Sequence, residues 1–337
     1  TGSGDITVGG QFTWTGGRLR GTGKLITSGD SEISSSSTKY LERTIDNTGM
    51  AEWTNGTVRG DATVVYNNLV GASFDAQANS RTFGNFDNTT FNNEGTLLRT
   101  AGTGTGTIAA QFDNSGAVEV NSGVLSLTVD GTSSGSVQVD ADSVLRLQSG
   151  SLLFDSGTTW SGAGTFEVAS GTVEVVPNVE IGSLSLLSTA GILTGSGDVT
   201  VGGTFDWTGG RLQGAGKLIT NGPSTLRSSL GKYLERNVDN YGMMQWTGGD
   251  IDASDGVVLR NLPGATFDIR TDDRFNNSPS GSTEFENQGT LRKSVNTSST
   301  LFYPSLENSG VVEVQTGALQ LYGGGSSSGD YQIASGT

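Results

Sequence analysis

The sequence of 337 residues contains neither cysteine nor histidine. Without cysteine the chain has no disulfides and no thiolate metal ligands. Without histidine it lacks imidazole ligands and the general base of a Ser-His-Asp triad. Ordinary zinc sites and haem bound through histidine or cysteine are therefore excluded, and we expect no cofactor. The G-G-x-G-x-D repeat of calcium-binding β-rolls is also missing, so the acidic turns predict at most weak Ca²⁺ binding.

Positive charge is scarce as well, since 19 Lys and Arg face 34 Asp and Glu, a net charge of −15. The attraction to phosphate that gives most non-specific affinity for nucleic acids is missing. We therefore expect no nucleic acid and no anionic membrane among the partners. No signal peptide opens the sequence and no apolar stretch is long enough to cross a bilayer. We expect any export signal or anchor to lie outside this segment.

Helix-forming residues are few, and apolar residues never recur at helical spacing over a sustained stretch. They alternate instead with polar residues in short stretches such as residues 5–8, 117–120, 124–127 and 136–139. These stretches are bounded by Gly, Ser and Asn, which is typical of short strands between tight turns. The sequence therefore predicts an all-β protein.

The chain consists of one long unit written almost twice. Residues 1–81 align without a gap with residues 194–274, and 35 of the first 50 positions are identical. After one inserted residue the match continues to the end of the sequence. Such a period indicates an array. We expect a first repeat over 1–193 and a second, truncated repeat over 194–337, which form a continuous rod without a linker and belong to something longer.

A shorter motif recurs inside each repeat: an apolar residue, a polar residue, Asn, any residue, then Gly. Its central residues are Asn47, Asn93, Asn114, Asn240, Asn287 and Asn308. Weaker members lie at Asn68 and Asn261. Several consecutive members are 21 residues apart, for example Asn47 and Asn68. This spacing predicts one coil of a parallel β-solenoid, with two or three short strands per coil.

Stacked coils would place inward side chains in columns, and a chain of this length would rise about 75 Å at about 4.8 Å per coil. Two interpretations of the recurring Asn stay open. The side chains could bind one another from coil to coil as an amide ladder. They could instead stabilise local turns, because Asn before x-Gly is a common turn signal.

The motif followed by an alternating strand resembles the repeats of filamentous-haemagglutinin-like adhesins and other giant secreted bacterial proteins. The resemblance implies a right-handed parallel β-helix shaft carried to the cell surface by a secretion system. Right-handed connections are also the general rule for parallel strands.

All five tryptophans precede a turn. In the first hypothesis their rings form stacking platforms for sugars, with Trp14, Trp53, Trp207 and Trp246 as candidate glycan-binding residues. In the second, each ring fills a coil corner where glycine leaves room.

The densest charged motif, at residues 39–43, returns unchanged at 232–236. Strand alternation places Lys39, Leu41 and Arg43 on one face, with Tyr40 and Glu42 on the other. This pattern favours cross-strand ion pairs on a solvated or inserted segment. A contact with a ligand or a neighbouring rod is the alternative.

Glycoside hydrolysis would need paired carboxylates. Asp272 and Asp273 are the obvious pair, but the first repeat has Asn79 and Ser80 at the same positions. Asp5 and Asp198 lie in Gly-Ser-Gly-Asp turns, where Asp commonly binds its own backbone. We therefore expect no enzymatic activity.

Together these patterns predict a structural or adhesive shaft segment of a large extracellular bacterial fibre or adhesin, located at the cell surface. The expected partners are further repeats of the same protein or identical copies end to end, with glycans or a host surface as further candidates. The alternative is a carbohydrate-binding or carbohydrate-cleaving β-helix, because parallel β-helices also host enzymes that act on polysaccharides.

Overall fold

The computed structural model describes residues 2–61, 63–277 and 283–335, without the side chains of residues 85–88. Within these residues all regular secondary structure is β-strand. The structure confirms the predicted parallel β-solenoid with coils of about 21 residues. No helix that could cross a membrane occurs in the described part of the chain. The structure divides into two compact units, residues 1–167 (unit 1) and 168–337 (unit 2), and the last strand counted with unit 1, Thr165–Val168, ends one residue beyond the division. The boundary between the sequence repeats, after residue 193, lies later in the chain than this division.

Unit 1 is built from short strands in the order β1 (Ile6–Val8), β2 (Phe12–Trp14), β3 (Gly17–Arg20), β4 (Leu25–Thr27), β5 (Ser31–Ile33), β6 (Lys39–Glu42), β7 (Ile45–Asn47), β8 (Met50–Trp53), β9 (Val58–Gly60), β10 (Val64–Asn68), β11 (Ser73–Ala76), β12 (Arg81–Asn93), β13 (Thr96–Arg99), β14 (Thr105–Asn114), β15 (Ala117–Val120), β16 (Val124–Leu127), β17 (Gly131–Ser133), β18 (Ser136–Val139), β19 (Val144–Leu147), β20 (Ser151–Phe154), β21 (Thr159–Ser161) and β22 (Thr165–Val168).

Unit 2 continues in the order β23 (Gly171–Val175), β24 (Val179–Ile181), β25 (Ser183–Leu186), β26 (Gly191–Thr194), β27 (Val199–Val201), β28 (Phe205–Trp207), β29 (Gly210–Gln213), β30 (Leu218–Thr220), β31 (Ser224–Leu226), β32 (Lys232–Glu235), β33 (Val238–Asn240), β34 (Met243–Trp246), β35 (Ile251–Ala253), β36 (Val258–Asn261), β37 (Thr266–Ile269), β38 (Arg274–Asn276), β39 (Glu284–Asn287), β40 (Thr290–Lys293), β41 (Ser299–Phe302), β42 (Ser305–Asn308), β43 (Val311–Val314), β44 (Ala318–Leu321), β45 (Gly325–Ser327) and β46 (Asp330–Ile333).

Each strand pairs in parallel with the equivalent strand of the next coil, so hydrogen bonds run from coil to coil. In unit 1 one run of paired strands is β2-β5-β8-β11-β13-β15-β18-β21. In unit 2 a separate run is β24-β27-β30-β33-β36-β39-β42-β45, whose strands β27, β30, β33 and β36 are the repeat equivalents of β1, β4, β7 and β10. The other strands of each unit form two further parallel runs, and the long strands β12 and β14 take part in both runs of unit 1.

The core of each unit is a narrow seam filled by every second residue of each strand. In β13, for example, Leu97 is buried and Leu98 beside it is not, and the alternation recurs along most strands. Coils approach so closely at the turns that side chains would not fit. A Cβ on Gly23 would collide with the carbonyl oxygen of Gly4 in the preceding coil. Glycine at such turns therefore permits the stacking.

The regular coil is interrupted in unit 1 by β12 and β14. The pairing of these two strands contains register shifts, which absorb the extra residues of this part of the sequence. An aromatic cluster fills the wider core there, with Tyr66 and Phe74 at a ring-centroid distance of 5.1 Å and Phe83 and Phe91 at 5.7 Å. Edge-to-face packing of this kind stabilises the larger cross-section.

Candidate functional site

A row of hydrogen-bonded polar side chains runs through the interior of unit 1, one from each coil. We call it the inner row of unit 1, and its members are Thr27, Asn47, Asn68, Asn93, Asn114 and Ser133. Asn47 Nδ2 donates to Asn68 Oδ1 at 2.9 Å, and Asn68 Nδ2 donates to Asn93 Oδ1 at 2.8 Å. Each amide therefore donates to the next coil in the C-terminal direction.

Unit 2 contains the same arrangement. Its inner row consists of Thr220, Asn240, Asn261, Asn287, Asn308 and Ser327. The amide-to-amide distances are 2.9 Å from Asn240 to Asn261 and 2.8 Å from Asn261 to Asn287. In both units Thr begins the row and Ser ends it, because a hydroxyl can donate at one end and accept at the other.

The inner asparagines also serve their local turns, so both interpretations of the motif describe part of what they do. Asn68 Nδ2 donates a second hydrogen bond to the carbonyl oxygen of Thr96 at 3.0 Å. The backbone N–H of Gly49 donates to Asn47 Oδ1 at 3.3 Å. These side chains are at most 3% exposed. A buried polar group is favourable only when its hydrogen bonds are made, as they are here.

Three cationic side chains are buried in each unit at equivalent sequence positions. They are Lys39, Arg43 and Arg99 in unit 1 and Lys232, Arg236 and Lys293 in unit 2, none more than 4% exposed. The face of the 39–43 motif that carries Lys39, Leu41 and Arg43 is therefore the interior face. This differs from the expected solvated segment, because backbone carbonyl groups at the turns replace water around the cations.

Lys39 and Lys232 lie inside cages of backbone carbonyl oxygens. Lys232 Nζ donates to Ser228 at 3.0 Å, to Leu230 at 3.2 Å and to Gly248 at 2.8 Å. Lys39 makes the same three kinds of contact in unit 1. Burial lowers the pKa of Lys232 to about 8. Each ammonium group joins a turn of its own coil to a turn of the following coil.

The buried arginines reach further along the stack. Arg43 Nε donates to the carbonyl oxygen of Gly23 at 2.9 Å, and its Nη2 donates to that of Gly4 at 3.1 Å. One guanidinium thus connects three successive coils. Arg236 makes the equivalent bonds to Gly216 at 2.8 Å and Gly197 at 3.0 Å.

The third cation of each unit binds a side chain as well as the backbone. Arg99 Nη2 donates to Asn79 Oδ1 at 2.8 Å. Lys293 Nζ donates to Asp272 Oδ1 at 2.8 Å. The partner changes from a neutral amide to a carboxylate between the units, while the buried cation keeps its place.

The outward face of the 39–43 motif forms cross-strand contacts. Arg18 forms an ion pair with Glu42, and its guanidinium carbon lies 4.0 Å from the centre of the Tyr40 ring. In unit 2 the same contacts join Arg211 to Glu235 and Tyr233. These outward residues bind one another across adjacent coils.

The candidate tryptophans do not form a surface platform. Trp14, Trp53, Trp207 and Trp246 are at most 4% exposed. Trp53 Nε1 donates to the carbonyl oxygen of Gly56 at 2.7 Å, and Trp246 Nε1 donates to that of Gly249 at 2.8 Å. The rings fill the interior beside the turns and offer no face to a sugar, so the platform interpretation does not describe their placement.

The candidate acids are engaged in structural hydrogen bonds. Asp272 binds Lys293, and Asp273 Oδ2 accepts from the backbone N–H of Gly249 at 2.7 Å. Asp5 and Asp198 accept from backbone N–H groups one coil away, both at 2.7 Å. Among the described residues no group of three or more Asp and Glu side chains is placed to hold a metal ion.

Sequence reasoning missed the burial of the cations, although a signal was present. Arg99 and Lys293 each lie two residues after an apolar core residue, Leu97 and Leu291, and so share its face of the strand. Lys39 and Arg43 have the same relation to Leu41. A cation in phase with core residues on a short strand indicates an inward side chain.

No protein-family model, no curated protein and no solved structure matches this chain.

Proposed function

We propose that the chain is a structural or adhesive shaft segment of a large extracellular bacterial surface fibre, of the kind formed by filamentous-haemagglutinin-like adhesins. The observation that supports this proposal is that the buried polar groups form hydrogen bonds between successive coils. The inner rows and the buried cations all connect one coil to the next. Such contacts add resistance to separation of the coils, which is what a stiff spacer requires.

The same contacts support resistance to proteolysis. Cleavage needs a segment that opens locally, and segments with few buried contacts open most readily. Here the turns themselves are held from inside by Lys39, Arg43 and their equivalents in unit 2. We expect the described turns to resist proteases at enzyme concentrations that degrade ordinary loops.

The end coils support association with further coils. Inward apolar side chains are uncovered there, with Ile6 46% exposed in the first coil and Tyr331 49% and Ile333 65% exposed in the last. Strand edges that carry unpaired N–H and C=O groups readily pair with other strands. We propose as partners further repeats of the same protein or identical copies joined end to end.

Sedimentation velocity and negative-stain imaging of the purified chain test this proposal. We expect elongated particles and association that increases with concentration. Ile333→Lys places a charge on the open end and should abolish the association. Met50→Lys, at an exposed apolar residue away from the ends, is the matched control and should leave it intact. Compact globular particles would contradict the shaft, and association insensitive to Ile333→Lys would contradict the end-to-end contact.

Carbohydrate cleavage is favoured by no observation among the described residues. Carbohydrate binding is favoured by one surface of unit 2, around Tyr303 and Tyr322.

A further inference from the structure

Four outward side chains lie in line on successive coils of unit 2. Asp252 pairs in register with Asn276 on the next coil. The backbone N–H of Tyr303 donates to the carbonyl oxygen of Phe275, and that of Tyr322 donates to Phe302, so both tyrosines continue the line. We call Asp252, Asn276, Tyr303 and Tyr322 the tyrosine row. Its two rings are nearly parallel, with centroids 5.0 Å apart and an interplanar angle of 18°.

In the tyrosine row Tyr322 is exposed and the other three side chains are partly buried, and hydrogen bonds orient them. Tyr322 is 58% exposed. Its hydroxyl donates to Gln320 Oε1 at 2.9 Å, and Asn276 Nδ2 donates to Asp252 Oδ1 at 2.7 Å. These bonds hold planar polar groups beside the aromatic rings.

A second line flanks the tyrosine row on the same face. Arg274 pairs in register with Leu301, and Leu301 pairs with Gln320. Asp250 precedes them, and its Oδ1 accepts from the backbone N–H of Arg274 at 2.9 Å. The face therefore combines amide, carboxylate and guanidinium groups with two tyrosines over several coils.

Unit 1 shows that the fold does not require tyrosine at these positions. Phe83, Ile108 and Leu127 occupy the register that Phe275, Phe302 and Leu321 occupy in unit 2. The residues that follow them are Gly84, Ala109 and Thr128. Gly84 and Ala109 are buried beside the irregular pairing of β12 and β14, whereas Thr128 is partly exposed like an outward residue. On an accessible surface the two units therefore differ at one of these positions, where unit 1 carries Thr128 and unit 2 carries Tyr322.

We propose that this face of unit 2 binds an extended neutral sugar chain. The outward parts of the two stacked rings can contact C–H groups of pyranoses, and planar amide and carboxylate groups bind neighbouring hydroxyls. One outward side chain per coil, at about 4.8 Å, is close to the repeat of an extended chain of β-linked pyranoses. Asp250 and Asp252 outnumber Arg274, and the chain as a whole carries −15, so a polyanionic glycan is disfavoured. The inference concerns the outer face, and Tyr322 follows β44, the last strand of its run, so a coil added end to end would lie beside it.

The test is calorimetric titration with neutral hexasaccharides of β-linked glucose, N-acetylglucosamine and galactose, and with polygalacturonate as the anionic comparison. We expect binding of at least one neutral hexasaccharide and weaker binding of polygalacturonate. The double variant Tyr303→Ala, Tyr322→Ala should weaken that binding at least about tenfold, because both ring contacts are lost. Tyr241→Ala, at an exposed tyrosine on a turn, is the matched control and should leave binding unchanged.

Tyr322→Thr, which introduces the residue that unit 1 carries at this position, is the milder variant if the double variant folds poorly. It should weaken binding in the same direction while the melting temperature stays unchanged. The proposal is overturned if no neutral hexasaccharide binds at millimolar concentration, if polygalacturonate binds as well, or if the tyrosine variants bind normally. It is also overturned if these variants change self-association instead, since the face would then be a contact between copies.

Discussion

Units 1 and 2 carry the same inner row but different outer rows on the same strands. The outward neighbours of the inner row in unit 1 are Asp46, Asn67, Asn92, Asp113 and Thr132. In unit 2 they are Asp239, Arg260, Glu286, Glu307 and Ser326. Four asparagines in succession are kept on the inside of both units, whereas outside, Asn67 and Asn92 of unit 1 have Arg260 and Glu286 as their counterparts in unit 2.

The difference between the rows shows that burial, and not strand geometry, restricts which residue types occur in the inner row. An inner amide is bonded on both sides, so its loss leaves buried partners unsatisfied. The outer residues can bind water when a neighbour changes. Accordingly Asn67 donates to Asp46 at 2.7 Å in unit 1, while Arg260 forms an ion pair with Glu286 at 3.0 Å in unit 2. Either arrangement is compatible with the same coils.

The largest expected effect is the loss of an inner amide. Asn68→Ala should lower the free energy of unfolding of unit 1 by about 2–4 kcal/mol, because Asn47 Nδ2 and Asn93 Oδ1 lose their partner inside the core. Asn67→Ala, the outward neighbour on the same strand, should cost less than about 1 kcal/mol. Chemical denaturation of both variants measures the difference, and equal effects would remove the distinction between the rows.

The second prediction concerns the buried lysine of unit 2. The pKa of Lys232 is about 8 in the folded protein, below its ordinary value of 10.5. Between these values the unfolded chain binds the proton more strongly, so stability should rise with pH from about 8 to 10, by about 1–3 kcal/mol. Denaturation of the wild type and of Lys232→Met over this range checks it. The rise should be absent in Lys232→Met and present in the surface control Lys217→Met; a rise that persists in Lys232→Met would contradict the assignment.

The smallest expected effect lies in the outer row of unit 2. Glu286 and Glu307 are directly paired like charges, and burial together with these two charges raises the pKa of the neighbouring Glu284. Glu307→Gln should therefore stabilise the protein by about 0.5 kcal/mol at low salt, and by less at high salt. Asp113→Asn at the equivalent place in unit 1 should give no gain, because its neighbours there are Asn92 and Thr132. A gain of the same size in both units would show that the ionic row is not the cause.

The fold class could be predicted because its signals are local. Alternation gave the strands, and the recurrence of Asn at about one coil length gave the solenoid. The direction in which the tryptophans point could also have been derived from alternation, because Trp14 ends β2 on the face of Phe12 and Trp53 ends β8 on the face of Ala51.

The tyrosine row could not be predicted from local alternation. Tyr303 and Tyr322 lie on different coils, and their alignment depends on coil lengths that vary along the chain. The spacing is 21 residues from Asn240 to Asn261 but 26 from Asn261 to Asn287. To predict which side chains meet between coils, the strand register must be known, and the sequence motif indicates that register only at the asparagines.

Hydrogen exchange of asparagine side-chain amides, measured by NMR on selectively labelled protein, tests the central claim most directly. The account predicts that the amide protons of inner residues such as Asn68 and Asn261 exchange slowly. Those of the outer residues Asn67 and Asn92 should exchange rapidly under the same conditions. Equal, rapid exchange of inner and outer amides would contradict a buried row that binds each coil to the next.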